Sequence, residues 1–403
     1  MAKISCAFID HQYHKKTKSS QFFINLLSEK MEISEYYFSS FSEKELQELI
    51  DTDFDIYIAY QYDFIAPFLL ANGKRVLVVP MYDGTGECHI VHWLISKNAL
   101  FLDFSENLYR THSKLGLNAV FQHYFPITDT KVSTVNYESL KYFFWERQPS
   151  SGLSVHWLAQ KLDNLQIKPT HVHLHLSPDP GEYSSIHPDS AKALFPYAKV
   201  TTSTWFSSKK EFEECLTTFN VYIAPRTVEG IGFSFLDAMG KGLFIMGLDY
   251  PTLNEYISNG ETGCLLDSLG SPFPDLPINV LKSIASSGFS SFQAGRLSWE
   301  ESWPDCLQKI LTYAESPIVV EPYKLTAKDA EQLSYYFFND YPSYLATLYN
   351  LYSPTAKQSI FISKLIKLPL IYHLQKTFST DPVKKSYVEF AASKFKNFFN
   401  RSY

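Results

Sequence analysis

Glu229 and Asp237, separated by seven residues, bracket the stretch Glu229-Gly230-Ile231-Gly232-Phe233. Carboxylates accept hydrogen bonds from hydroxyl groups, and glycines let a backbone turn tightly with its N–H groups uncovered. Just upstream, Val221-Tyr222-Ile223-Ala224 is a β-branched and aromatic run stopped by Pro225, which fits the end of a buried parallel strand. From Phe233 the apolar residues Phe233, Leu236 and Met239 recur at helical spacing until Gly242 ends the run. Strand, tight turn and helix N-terminus together favour an anion, and in an open α/β sheet the crevice at the strand carboxyl ends is where ligands sit. Asp237 lies about one and a half helical turns into the segment, so both carboxylates can face one bound ligand.

A second concentration of reactive side chains is Thr170-His171-Val172-His173-Leu174-His175-Leu176, which puts three histidines on one strand face, with Cys88-His89 and His92 elsewhere as further metal ligands. Histidines two apart splay along a strand, and no second ligand set has closed-site spacing, so the expectation is that no metal is bound.

The elements that must carry these residues alternate strand and helix from the start. Lys3 to Ile9 reads as a strand and Ser20 to Lys30 as a helix with Phe23, Leu26 and Leu27 on one face; Phe54 to Tyr60 alternates like a strand, and Arg75 to Pro80 and Leu100 to Phe104 are compact apolar strands. Ser42 with Glu45 forms a capping box for the helix through Ile50. A second series runs through a strand at Tyr142 to Trp145, a helix at Leu153 to Leu162 and strands at Thr170 to Leu176 and Lys199 to Thr202, and Ser208 with Glu211 offers another capping box. Repeated βα units imply parallel sheets with helices on both faces, that is, two Rossmann-like halves.

Glu229-Gly230-Ile231-Gly232-Phe233, Leu236-Asp237-Ala238-Met239, Gly242, Glu255-Tyr256-Ile257, Asn259-Gly260 and Gly263 together resemble the donor-site signature of group 1 retaining glycosyltransferases of the GT-B fold. The family pattern has Glu at the second carboxylate, where this chain has Asp237. The similarity extends upstream to Ser208 and resumes at Leu297-Ser298-Trp299-Glu300, which resembles the family's closing Ser-Trp-Glu helix start.

The resemblance implies an α/β protein of GT-B architecture, two Rossmann-like domains facing across a cleft. These are an acceptor-side domain over 1–130, a nucleotide-sugar-binding domain over 131–315 and a helical, basic and aromatic tail over 316–403, with the domain boundary between Pro126 and Tyr137. It also implies a retaining hexosyltransferase reaction without metal or other cofactor. Glu229 would bond hydroxyls of the donor sugar and Asp237 the nucleotide ribose, with Gly230, Ile231, Gly232 and Phe233 lining the donor site. Arg147 matches a phosphate-binding Arg of the family. The Lys that accompanies it has become Ser151, and Arg226, where the family commonly has Ser, is the candidate substitute. In the loop Pro80 to His89, Asp83 and His89 are candidates for contact with the acceptor or the sugar's O6, against the reading of Asp83 as a structural turn residue. The family's glycine-rich first loop is missing from Asp10 to Lys18. The partners implied are a nucleotide sugar and a glycan or lipid-linked acceptor of bacterial lipopolysaccharide or capsule synthesis. The alternative is a degenerate subunit that binds glycan or partners an active transferase, and a sugar-phosphorolysing or epimerising enzyme is a third reading.

Composition sets bounds on all of this. At 403 residues, 45% hydrophobic and 19% charged, the chain is long enough for two packed domains and an appendage. A net charge of −6 gives no reason to expect nucleic acid. Five cysteines without a CxxC pair point to a reduced, cytoplasmic setting, and no apolar run approaches a membrane span. From Pro354 onward nine basic residues face two acidic ones among Phe and Tyr. That tail suits an interfacial helix on an anionic membrane at the inner face, or helices packed back on the two domains with a solvated lysine face.

Overall fold

The computed structural model describes residues 3–127 and 135–352. The 130/131 domain boundary and the basic tail over 354–403 therefore lie outside the described residues. The chain builds two six-stranded sheets, every neighbouring pair parallel. The first comprises β1 (Ile4–His11), β2 (Met31–Phe38), β3 (Ile56–Tyr60), β4 (Val76–Val79), β5 (Leu100–Asp103) and β6 (Asn118–Phe121), in the order β2-β1-β3-β4-β5-β6. The second comprises β7 (Lys141–Trp145), β8 (His171–His175), β9 (Lys199–Ser203), β10 (Val221–Ile223), β11 (Phe244–Leu248) and β12 (Cys264–Leu266), in the order β12-β11-β10-β7-β8-β9. This is the GT-B arrangement expected from the sequence.

Central strands are buried on both faces: all five residues of β3 are buried, so its pattern is continuous rather than alternating. In the second sheet the strand order reverses between β7 and β10, which lie side by side although 75 residues of β8 and β9 excursion separate them in sequence, and that gap is where an open sheet leaves its crevice.

The helix Ile278–Glu315 ties the two lobes together. Its Gly288 lies against the Thr262 backbone of the second lobe, while Trp299 and Trp303 pack on Phe104 and Phe23 of the first. Leu297-Ser298-Trp299-Glu300, expected to start a helix, thus sits in the middle of one, because nothing between Ile278 and Leu297 breaks the run. The helices Ala327–Asn339 and Tyr341–Tyr352 share a hydrophobic cluster with the first sheet, with Phe337 stacked on Phe64 and Tyr344 Oη 2.6 Å from His92 Nδ1.

The capping box at Ser42 and Glu45 is complete. At Ser208 only half of one forms: Ser208 Oγ accepts from Glu211 N–H, but the Glu211 carboxylate reaches back to Ser207 N–H and Oγ instead. No helix among the described residues is long and apolar enough to cross a membrane, and the cysteines are all free thiols.

Candidate active site

Strand β10 delivers its chain into the crevice as Ala224 to Gly232, and the helix Phe233–Gly240 starts from Gly232 at φ +87°. A Cβ on Gly232 would stand 1.9 Å from the Phe235 ring, so both the left-handed backbone and the close approach require glycine. Gly230 meets the first lobe: a Cβ there would lie 3.0 Å from Asp83 Oδ1 and 3.1 Å from Met81. Ile231 is buried, and Phe233 packs edge-on against Phe22 and Tyr124 of the first lobe. The Gly230 to Phe233 turn is therefore clamped between the lobes, with a helix N-terminus at its end.

Glu229 is 4% exposed, and among the described residues its Oε1 has no hydrogen-bond partner. Its Oε2 is 4.0 Å from Arg226 Nη1. Burial raises the Glu229 carboxyl above the ordinary range, while Arg226 and Arg147 pull it back. Asp237, also buried, is pushed up to about 6 by burial, opposed by Lys209, whose Nζ lies 3.2 Å from Oδ1. The phenol of buried Tyr222 is raised by burial first, is lowered by the Ser234 hydroxyl, and is raised further by Glu229 and Asp237.

Arg147 follows β7 and Arg226 follows β10, so the reversal in strand order sets the two guanidinium groups beside each other. Both bind one carboxylate, that of Asp179, in the loop after β8. The Arg147 guanidinium also lies over the Trp145 ring, 4.8 Å from its centroid. Arg226 Nη1 donates to Asp83 Oδ2 at 2.6 Å, an ion pair that crosses from one lobe to the other. Asp83 comes from the short helix Tyr82–Thr85 after β4. Ser151 Oγ donates to the Gln148 carbonyl at 2.7 Å and brings no positive charge.

His89 is not brought to this cluster. Its Nδ1 accepts from Val91 N–H, its own N–H donates to Tyr341 Oη at 3.0 Å, and its ring meets Tyr349 edge-on. Two residues from the C-terminal helices hold the histidine, Tyr341 and Tyr349, and burial lowers its pKa. The strand histidines are likewise committed to neighbours. His171 and His173 bond Thr201 Oγ1, and His173 and His175 bond Ser203 Oγ, at 2.7–2.9 Å. Burial pushes His173 down to about 4 and His175 to about 3, so these rings are neutral. Among the described residues no group of three or more His, Cys, Asp or Glu is placed to hold a metal ion.

Two features had no sequence expectation. Asp179 is one, hidden in the turn-like Pro178-Asp179-Pro180-Gly181. The other is buried Asp10 at the end of β1, whose Oδ1 holds His14 Nδ1 at 2.6 Å and whose Oδ2 has no hydrogen-bond partner among the described residues. The helix Gln12–Thr17 borders the arginine cluster: the Tyr13 phenol is raised by burial and by Asp179 and lowered by Arg147 and Arg226. Lys16 reaches across to the second lobe, its ammonium 5.0 Å from the Trp205 ring centroid.

Residues 151–271 match the family model "Glycosyl transferases group 1". A stretch of 84 residues is 30% identical to the UDP-N-acetylglucosamine–peptide N-acetylglucosaminyltransferase GtfA subunit of Streptococcus parasanguinis, covering 21% of this chain and 16% of that protein. The protein of the same name in Streptococcus pneumoniae is 28% identical over 88 residues, 22% of this chain and 17% of that protein. The chain therefore spans about a sixth of the length of these curated relatives. Among solved structures, sucrose-phosphate synthase from Thermosynechococcus elongatus aligns with a TM-score of 0.53 at 10% identity, covering 77% of this chain and all of that one, a likeness of fold.

Proposed function

We propose that this chain, whose second lobe carries a group 1 glycosyl transferase domain, is a retaining, metal-independent glycosyltransferase that moves a hexosyl group from a nucleotide-diphosphate sugar to a glycan or lipid-linked acceptor. The observation that carries this reading is the convergence, at the strand-order reversal, of Arg147 and Arg226 with buried Glu229 and the glycine-led helix N-terminus. Departure of a nucleoside diphosphate builds negative charge on the leaving group and positive charge on the sugar. The two guanidinium groups and the uncovered N–H groups neutralise the first. The free Glu229 oxygen accepts from donor-sugar hydroxyls, and Asp237 from the ribose.

Bacterial lipopolysaccharide or capsule is the proposed destination of the sugar, with the protein at the cytoplasmic face of the membrane. The sequence over 354–403, with nine basic residues against two acidic ones among Phe and Tyr, is the proposed attachment to anionic lipid. Salt-sensitive sedimentation with anionic vesicles that persists in a chain ending at Ser353 would remove that role from the tail.

Thermal shift with UDP-, GDP- and ADP-sugars in excess chelator tests the donor reading, with UDP-N-acetylglucosamine first because the streptococcal relatives are named for it. One nucleotide series should stabilise the protein and be turned over. No stabilisation by any of them would remove the donor site. Binding without turnover favours a non-catalytic subunit, a reading motivated by the uncharged, internally bonded Ser151 hydroxyl and by Asp237 in place of Glu.

Donor affinity should also depend on pH through Asp237. Its carboxyl is pushed from 3.8 up to about 6, so the ionised form that best accepts from a ribose hydroxyl is populated only as pH rises through that value. A nucleotide sugar has no phosphate titrating there, and its affinity should rise roughly 5-fold from pH 5 to pH 7.5, about the difference between a charge-assisted bond and a neutral one. Folding runs the other way: a raised folded-state pKa means this group favours the fold at low pH and loses that contribution as pH climbs through about 6. Titration calorimetry on wild type and Asp237→Asn reads the binding effect. A slope that persists in the variant assigns it elsewhere.

A further inference from the structure

Asp179 is largely buried, and its carboxylate receives five side-chain hydrogen bonds. Arg147 donates from Nε and Nη2 to Oδ1 at 3.0 and 2.8 Å, and Arg226 from Nε and Nη2 to Oδ2 at 3.1 and 2.5 Å. Gln148 Nε2 adds a fifth at 3.3 Å. Each arginine thus spends its two-donor edge on this single carboxylate, the edge that planar guanidinium groups use to bind phosphate.

The loop that presents Asp179 is pinned from several sides. Asp179 N–H donates to the Arg147 carbonyl at 2.8 Å, and Glu182 accepts from Ser150 N–H at 3.1 Å. Ser184 and the Ser185 N–H donate to buried Glu146.

We infer that Asp179 is a specificity-determining residue: its carboxylate occupies the position between Arg147 and Arg226 in which the donor's diphosphate is neutralised, and an incoming diphosphate must displace it. This rests on the donor-site reading above. Charge balance supports it. Two guanidinium groups already face three carboxylates, Asp83, Asp179 and Glu229, and the remaining Nη1 of Arg226 is held by Asp83. The two-donor edges of Arg147 and Arg226 become available to a further anion only when Asp179 gives them up. A single phosphate offers the arginines little that the carboxylate does not, whereas a diphosphate brings more charge and two groups to span both. The internal carboxylate therefore filters for diphosphates.

The test uses the full chain and probes free of any base: inorganic pyrophosphate and inorganic phosphate, titrated calorimetrically at low salt into wild type, Asp179→Asn, Asp179→Ser and Arg147→Ala. Thermal unfolding confirms that each variant is folded, and the second Asp179 variant serves if the first is not. Both Asp179 variants should bind pyrophosphate roughly tenfold tighter than wild type and phosphate tighter by a larger factor, so that discrimination between the two narrows. Pyrophosphate binding that is lost in Arg147→Ala but unchanged or weaker in the Asp179 variants overturns the inference and leaves the donor site standing. Pyrophosphate binding by none of the proteins overturns both.

Discussion

Glu229→Gln is expected to lower kcat/KM for sugar transfer by roughly 100- to 1,000-fold, the range found when one preorganised polar partner of a transition state is removed. Oε1 of Glu229 is buried beside two arginines with no hydrogen-bond partner among the described residues, and a hydroxyl that donates to it is held more strongly as the sugar gains positive charge. The amide keeps the size of the side chain and removes its charge. Burial already disfavours that charge, since it is the largest cause of the raised Glu229 pKa, so the fold should survive the change. Initial rates of nucleoside diphosphate release, with thermal unfolding as control, make the measurement. A variant that keeps most of its kcat would remove Glu229 from the reaction.

Arg147→Ala and Arg226→Ala should each weaken nucleoside diphosphate binding by about 10- to 100-fold while leaving the nucleoside nearly unaffected, because what is lost is a charge-assisted pair with phosphate. The two variants should differ in stability. Among the described carboxylates Arg147 pairs with Asp179 alone, whereas Arg226 faces Asp83, Asp179 and Glu229, and its side chain is 17% exposed. Removing it leaves those carboxylates short of a cation and cuts an ion pair between the lobes, at a cost of about 3 kcal/mol, the lower end for a broken buried pair. Calorimetric titration of nucleoside and nucleoside diphosphate, with a thermal melt of each protein, reads both effects. Equal losses for the two ligands would deny either arginine a phosphate role and favour the non-catalytic reading.

The turn and helix that carry Glu229 and Asp237 were legible because local rules act there. A strand stopped by Pro225, a turn that only glycine can make at 232 and a helical apolar period from Phe233 are short-range signals, and the structure obeys each. The meeting of Arg147 with Arg226 follows from strand order and was reached through the family resemblance. Asp179 escaped because Pro-Asp-Pro-Gly reads as an ordinary turn, and its importance depends on two arginines more than 30 residues away in sequence. Asp10 and His14 escaped because they pair only where β1 passes directly into the helix Gln12–Thr17. Asp83 and His89 part company because the loop after β4 is interrupted by the helix Tyr82–Thr85, which leaves Asp83 at the cleft while His89 joins the C-terminal helices. Edge strands β2 and β6 lack the buried, continuous pattern of the central strands and gave no clear signal.

The central claim, retaining transfer from a nucleotide sugar, is tested most directly by the anomeric configuration of the first product. The protein is incubated in chelator with the α-linked nucleotide sugar that stabilises it and with a candidate acceptor, and the new linkage is followed by proton NMR before any released sugar mutarotates. An α linkage at Glu229-dependent turnover is the expected result; a β linkage, or no turnover of any nucleotide sugar that binds, would contradict it.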